Sequence, residues 1–116
     1  MVPRIFIIVF TVFLAGCGFV DGNEKMNLII ASKNGDVEKV NYYLKQLKTA
    51  NYISLKGDTP LNTAISNRHL EVIRVLLESG ASCSLKDESG KTPLAVAKIV
   101  GDRSILNYLE SHGSCT

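Results

Sequence analysis

The amino-acid sequence predicts an all-α fold, a short solenoid of about three helix-turn-helix repeats joined by β-turn fingers. Three observations carry that expectation. The run Gly57-Asp58-Thr59-Pro60-Leu61-Asn62-Thr63-Ala64 returns 33 residues later as Gly90-Lys91-Thr92-Pro93-Leu94-Ala95-Val96-Ala97, and Leu76 and Gly80 recur at the same interval as Leu109 and Gly113. A constant period of this length marks a stacked repeat array. Within each copy, apolar residues fall at helical spacing in two short runs, and neither run could bury its face alone. The same interval counted backward reaches Leu28, Ala31, Gly35, Glu38 and Val40, a more degraded first copy.

The second copy, residues 54–86, shows how each element is specified. Thr59 suits an N-cap because its hydroxyl can accept an early helix N–H, and Pro60 suits the first helical position, where a missing donor costs nothing. Leu61, Ala64 and Ile65 then share one face. Arg68-His69 interrupts this short helix. A second helix sets Leu70, Ile73, Leu76 and Leu77 in a stripe widened by Val72 and Val75, and Gly80 can take the left-handed conformation that ends it. The first copy, residues 24–53, predicts helices near 24–33 and 37–47. It has Met26-Asn27 in place of Thr-Pro and Leu47-Lys48 in place of the Gly-Ala finish, so a longer second helix is open between Gln46 and Tyr52. The third copy, residues 87–116, predicts helices from Pro93 and near 103–111. Its Lys98 and Glu110 replace Ile65 and Leu77, which reads as the polar face of a terminal cap. Fingers are expected near Leu55-Lys56-Gly57-Asp58 and Glu88-Ser89-Gly90-Lys91.

The Gly-x-Thr-Pro-Leu-x-x-Ala run, followed by Glu71-Val72-Ile73-x-x-Leu76-Leu77-x-x-Gly80-Ala81, resembles the ankyrin repeat over residues 24–116. That resemblance implies binding of a protein partner through finger tips and the exposed face of each first helix. Carried over by position, it selects Leu55, Lys56, Asp58, Ser66 and Asn67 in the second repeat. In the third it selects Glu88, Ser89, Lys91, Ile99 and Val100, and in the first Lys33 and Asn34. Ile99-Val100 is an apolar pair where variable surface residues are expected, with core packing of a terminal repeat as the alternative. His69 matches the histidine that such repeats carry between their helices, a structural position.

Ahead of the array, Met1-Val2-Pro3-Arg4 carries one positive charge, and Ile5 through Ala15 is continuously apolar apart from Thr11. That run is too short to span a bilayer and has the anatomy of a secretory signal. Leu14-Ala15-Gly16-Cys17 resembles the lipobox of bacterial lipoproteins, which implies a signal peptide over residues 1–16 and acylation of Cys17. An ordinary signal peptide with an incidental cysteine is the alternative. Residues 17–23 then form the lipidated cysteine and its tether. The six residues from Gly18 to Asn23 reach at most about 20 Å, which would hold the array close to its membrane. Phe19 and Val20 could rest on the lipid or pack under the first repeat.

The formal charge is +2, and without Arg4 of the leader 12 basic residues face 11 acidic ones. Such a balance gives no electrostatic case for nucleic acid, and the chain has no tryptophan for base stacking. There is no Gly-x-Ser-x-Gly elbow, phosphate-cradling glycine loop or Cys-x-x-Cys pair, so neither an enzyme nor a cofactor is expected. Asp87-Glu88 are adjacent carboxylates on an expected turn, where solvation explains them. His112 with Cys83 and Cys115 matches no zinc spacing and lacks a fourth ligand.

With Cys17 assigned to lipid, Cys83 and Cys115 remain, an even number in a compartment that permits disulfides. Equivalent positions in stacked repeats should lie about 10 Å apart, beyond the roughly 7 Å limit for a bridge. Cys115, near the end of the sequence, could fold back. A disulfide and two free thiols both remain open. A small lipoprotein with this repeat array also resembles the lipoprotein immunity proteins encoded beside type VI secretion toxins, especially lipases. That likeness implies a monomer facing the periplasm with a toxin as partner. A structural or redox-protective envelope protein without a dedicated partner is the competing expectation.

Overall fold

The computed structural model describes residues 23–112 and 115. The segments expected to be a signal peptide and a tether (residues 1–22, with Cys17), and Gly113, lie outside the described residues. Six helices follow one another: α1 (Glu24–Asn34), α2 (Val37–Leu47), α3 (Pro60–Ser66), α4 (Leu70–Glu78), α5 (Pro93–Val100) and α6 (Arg103–Ser111). Each odd-numbered helix packs on the even one that follows it. One row of the stack runs α1 on α3 on α5, and in the second row α2 packs on α4. The fold is the all-α repeat solenoid that the 33-residue period predicts.

Side-chain caps start four of these helices. Thr59 Oγ1 accepts from the Asn62 amide at 3.0 Å and Thr92 Oγ1 from the Ala95 amide at 3.2 Å, each followed by proline at the first helical position. Asp36 caps α2 through the Lys39 amide at 3.1 Å, and Asp102 caps α6 through the amides of Ser104 and Ile105. Each cap satisfies donors that a helix start leaves unpaired.

One apolar core runs through all three repeats. Leu28, Val40, Ile65, Val72, Ile73, Leu76, Ile105 and Leu109 are fully buried within it. Lys98 and Glu110 are exposed on the last repeat, as a terminal face requires.

Helix α2 does not continue toward Tyr52, contrary to the longer option. It stops at Leu47, where Lys48 takes the left-handed conformation (φ 64°) and returns its N–H to Leu44 O at 2.8 Å. A non-glycine residue there costs about 1–2 kcal/mol. The turn is offset by what it buries, since Ala50 and Tyr52 enter the core directly afterward.

The fingers close over residues 54–57 and 87–90, one residue earlier than expected. Gly57 N–H donates to Ser54 O and Gly90 N–H to Asp87 O, both at 2.9 Å. Adjacent fingers are joined main chain to main chain, Glu88 N–H donating to Gly57 O at 3.0 Å. Gly57 sits at φ 89°, and a Cβ there would collide with the Glu88 side chain.

Cys83 and Cys115 form a disulfide with their Cα atoms 4.9 Å apart. The spacing expected for equivalent positions does not apply, because the chain turns back after α6. Cys115 N–H reaches His112 O at 2.8 Å.

Candidate protein-binding surface

The repeats are tied together by side chains that reach the main chain of a neighbour. His69, between α3 and α4, brings Nε2 to 2.9 Å of Lys33 O in the first repeat. Its place against Gly35 is close-fitting, since a Cβ on Gly35 would overlap the imidazole. Asn51 spans the first and second repeats, its Nδ2 donating to Gly80 O at 3.1 Å and its Oδ1 accepting from Ser82 N–H at 2.7 Å. Within the first repeat, the Tyr52 hydroxyl donates to Lys25 O at 2.7 Å, and burial raises its pKa above the ordinary phenol value. Between the second and third repeats, the Arg74 guanidinium lies 5.2 Å from the Tyr108 ring centre.

Asn62 holds the second finger. Its Nδ2 donates to Lys91 O at 3.1 Å and to Asp87 Oδ2 at 3.3 Å. Asp87 Oδ1 in turn accepts from the amides of Ser89 and Lys91. Solvation of a turn therefore does not account for Asp87, whose carboxylate organises the finger from within. Its signal in the sequence was an aspartate two residues before a Ser-Gly pair, the pattern of an Asx-turn.

These ties fix a groove of about 210 Å³ lined by Ile29, Lys33, Asp58, Asn62, Thr63, Ser66, Asn67 and Asp87. The structure thus gathers four of the residues selected from the sequence, Lys33, Asp58, Ser66 and Asn67. It adds Ile29, Asn62, Thr63 and Asp87, which sequence reasoning missed because their inward facing depends on how the repeats stack.

The other selected residues sit elsewhere. Leu55 is fully exposed at the first finger and borders a separate, more apolar hollow of about 290 Å³ with Asn23, Lys25, Met26, Ile53 and Ser54. Lys56, Glu88, Ser89 and Lys91 are exposed along the fingers, and Asn34 is exposed at the end of α1. The apolar pair divides: Ile99 is 68% exposed, whereas Val100 packs against the core.

Among the described residues no group of three or more His, Cys, Asp or Glu side chains is placed to hold a metal ion. No helix among them is long and apolar enough to cross a membrane.

A family model described as ankyrin repeats in three copies matches residues 18–116. An ankyrin repeat protein of Rickettsia bellii is 33% identical over 89 residues, which is 72% of this chain and 53% of that protein. Protein phosphatase 1 regulatory subunit 27 of Mus musculus is 32% identical over 83 residues, 71% of this chain and 54% of the relative. Diacylglycerol kinase iota of Homo sapiens is 34% identical over 102 residues, 83% of this chain but 10% of the kinase. The chain spans about half or less of the length of these curated relatives.

Proposed function

The chain belongs to the ankyrin-repeat family, a protein-interaction fold that is generally non-catalytic, and on that premise we propose that it is a membrane-anchored binding module of the bacterial envelope. It faces the periplasm and is monomeric when free. In its most specific form the proposal is an immunity protein that neutralises a secreted toxin, such as a phospholipase delivered by type VI secretion. The observation that carries the binding role is the groove and the two fingers beside it, held by inter-repeat ties and rimmed by the exposed side chains of Lys33, Asp58, Ser66 and Asn67. Blocking an enzyme needs only a rigid surface that covers its site, and a prestacked array loses little ordering entropy on binding. Three repeats are large enough to offer the roughly 800 Å² per partner of a standard interface.

Two features support the envelope location. The Leu14-Ala15-Gly16-Cys17 boundary resembles a lipoprotein processing site, and the Cys83–Cys115 bond suits an oxidising compartment. That bond also favours a second reading, a disulfide-stapled envelope protein without a toxin partner. The toxin itself rests on likeness of fold and build rather than on any residue.

A competition between a deletion strain and its parent, under conditions where the toxin is demonstrably delivered, separates the two. The immunity role expects the deletion strain to be lost and rescued by the wild-type gene. Reversing charge at Lys56, Asp58 and Lys91 should weaken that rescue without unfolding the domain. Equal competition of deletion strain and parent would reject immunity and leave the envelope module.

A further inference from the structure

The apolar hollow beside Leu55 lies where the stack lacks a finger. The finger at 54–57 is joined on one side to the finger at 87–90, through Glu88 N–H and Gly57 O. Among the described residues the first repeat supplies no finger to meet it from the other side. Helix α1 already begins at Glu24, one 33-residue period before Gly57, whereas α3 and α5 begin after their fingers, at Pro60 and Pro93. What lines the gap is largely apolar. Leu55 is fully exposed and Ile53 is 47% exposed, and with Met26 they border the hollow of about 290 Å³. Apolar side chains left in water forgo the burial that stabilises the rest of the array. Asn23, where the described chain begins, belongs to the same lining.

The repeat period indicates what fills this gap. Phe19 stands 33 residues before Tyr52, and Tyr52 stands 33 before Leu85. Tyr52 is buried and Leu85 half-buried, so this position turns inward in both copies where it is described. Val20 stands at the same interval before Ile53, and these two are the only large apolar residues between Cys17 and Glu24. The ankyrin-repeat match also begins at residue 18, ahead of α1. Phe19 precedes Asn23 by four residues, a reach of at most about 14 Å, so the segment arrives beside the hollow. We propose that Phe19 and Val20 pack into this hollow, against Met26, Ile53 and Leu55, and complete the first repeat. The occupant is the chain's own segment, since neither lipid nor a partner protein accounts for the 33-residue register. The packing does not depend on acylation of Cys17. Its consequence at the membrane rests on the lipid anchor proposed above: Gly18 alone then separates the acylated residue from the packed fold, in place of a free run of six residues.

The test is NMR of the full-length chain in detergent micelles, with the isoleucine, leucine and methionine methyl groups labelled. Nuclear Overhauser contacts are expected between the Phe19 ring and the methyls of Met26, Ile53 or Leu55, and Phe19→Ala identifies them by removing them. The same variant should raise the unfolding equilibrium constant in urea about tenfold, the effect of losing one buried apolar side chain. A doxyl-labelled stearate dissolved in the micelle should leave the Ile53 and Leu55 methyl signals sharp. Absence of the ring contacts would overturn the proposal, and so would unchanged stability in Phe19→Ala. Broadening of the Ile53 and Leu55 methyls by the spin label would overturn it by showing that lipid occupies the hollow. Contacts seen only between differently labelled molecules would overturn it in favour of a second copy. Anchoring is read independently, by lipid labelling at Cys17, so its failure leaves the packing result standing.

Discussion

Tyr52 carries a pH dependence of its own. Its hydroxyl is committed to Lys25 O, and desolvation raises its pKa above the ordinary value of about 10. The folded pKa lies above the unfolded one, so the contribution is complete below about pH 10 and fades as pH rises, when the unfolded chain loses a proton that the folded chain keeps. Thermal melts from about pH 8 to 11 should therefore fall more steeply in the wild type than in Tyr52→Phe, lysine titration being common to both. At neutral pH, Tyr52→Phe should cost about 0.5–1.5 kcal/mol for the lost hydrogen bond. Parallel melting curves would mean that the phenol is hydrated. Leu76 is fully buried at the centre of the stack, and Leu76→Ala should lower stability by about 2–5 kcal/mol through the cavity it leaves. Urea denaturation measures this, and a loss below about 1 kcal/mol would be too small for a core leucine. Both burials follow from position in the repeat. The Leu76 period is visible in the chain; the entry of Tyr52 into the core is not, because it depends on a left-handed lysine that no propensity favours.

Helices were the most legible elements. Thr-Pro starts and apolar spacing are local signals, readable without knowing what packs where. Finger geometry was less so, since Asp87 and Asn62 are 25 residues apart and only the stack brings them together. The two Thr caps offer a comparison within one molecule. Thr59 is buried and bonds a buried amide, whereas the Thr92 bond is only part-buried. Replacing either by alanine should cost about 0.5–2 kcal/mol, with Thr59→Ala the larger loss because the freed Asn62 amide lies where water reaches it poorly. Chemical denaturation of the two variants side by side gives the order, and the reverse order would show that the α5 start carries more of the stability. The α5 end was also only half legible. Spacing places Ile99 and Val100 side by side, but α5 turns one outward and the other onto the core.

At the scale of the whole molecule, the disulfide encloses 32 residues of sequence separation and ties the second repeat to the end of the third. In the chain-entropy picture such a closure stabilises by about 3–4 kcal/mol. Cys83→Ala with Cys115→Ala should lower the melting temperature, and reducing agent should then have no further effect; a melt indifferent to reduction in the wild type would deny the bond that role. Anchoring is tested separately. Cys17→Ser should abolish lipid labelling and leave an unprocessed precursor, and normal maturation of that variant would remove the lipoprotein proposal. One property of the ties between repeats reaches beyond stability. His69, Asn62 and Asn51 all address backbone carbonyls, those of Lys33, Lys91 and Gly80. A carbonyl is the same whichever residue bears it. The lysine side chains at two of those positions, Lys33 and Lys91, can therefore be exchanged without loosening the joint beneath them. The outer face at Lys33 and Lys91 is thus free to be rewritten for a new partner while the scaffold is inherited untouched.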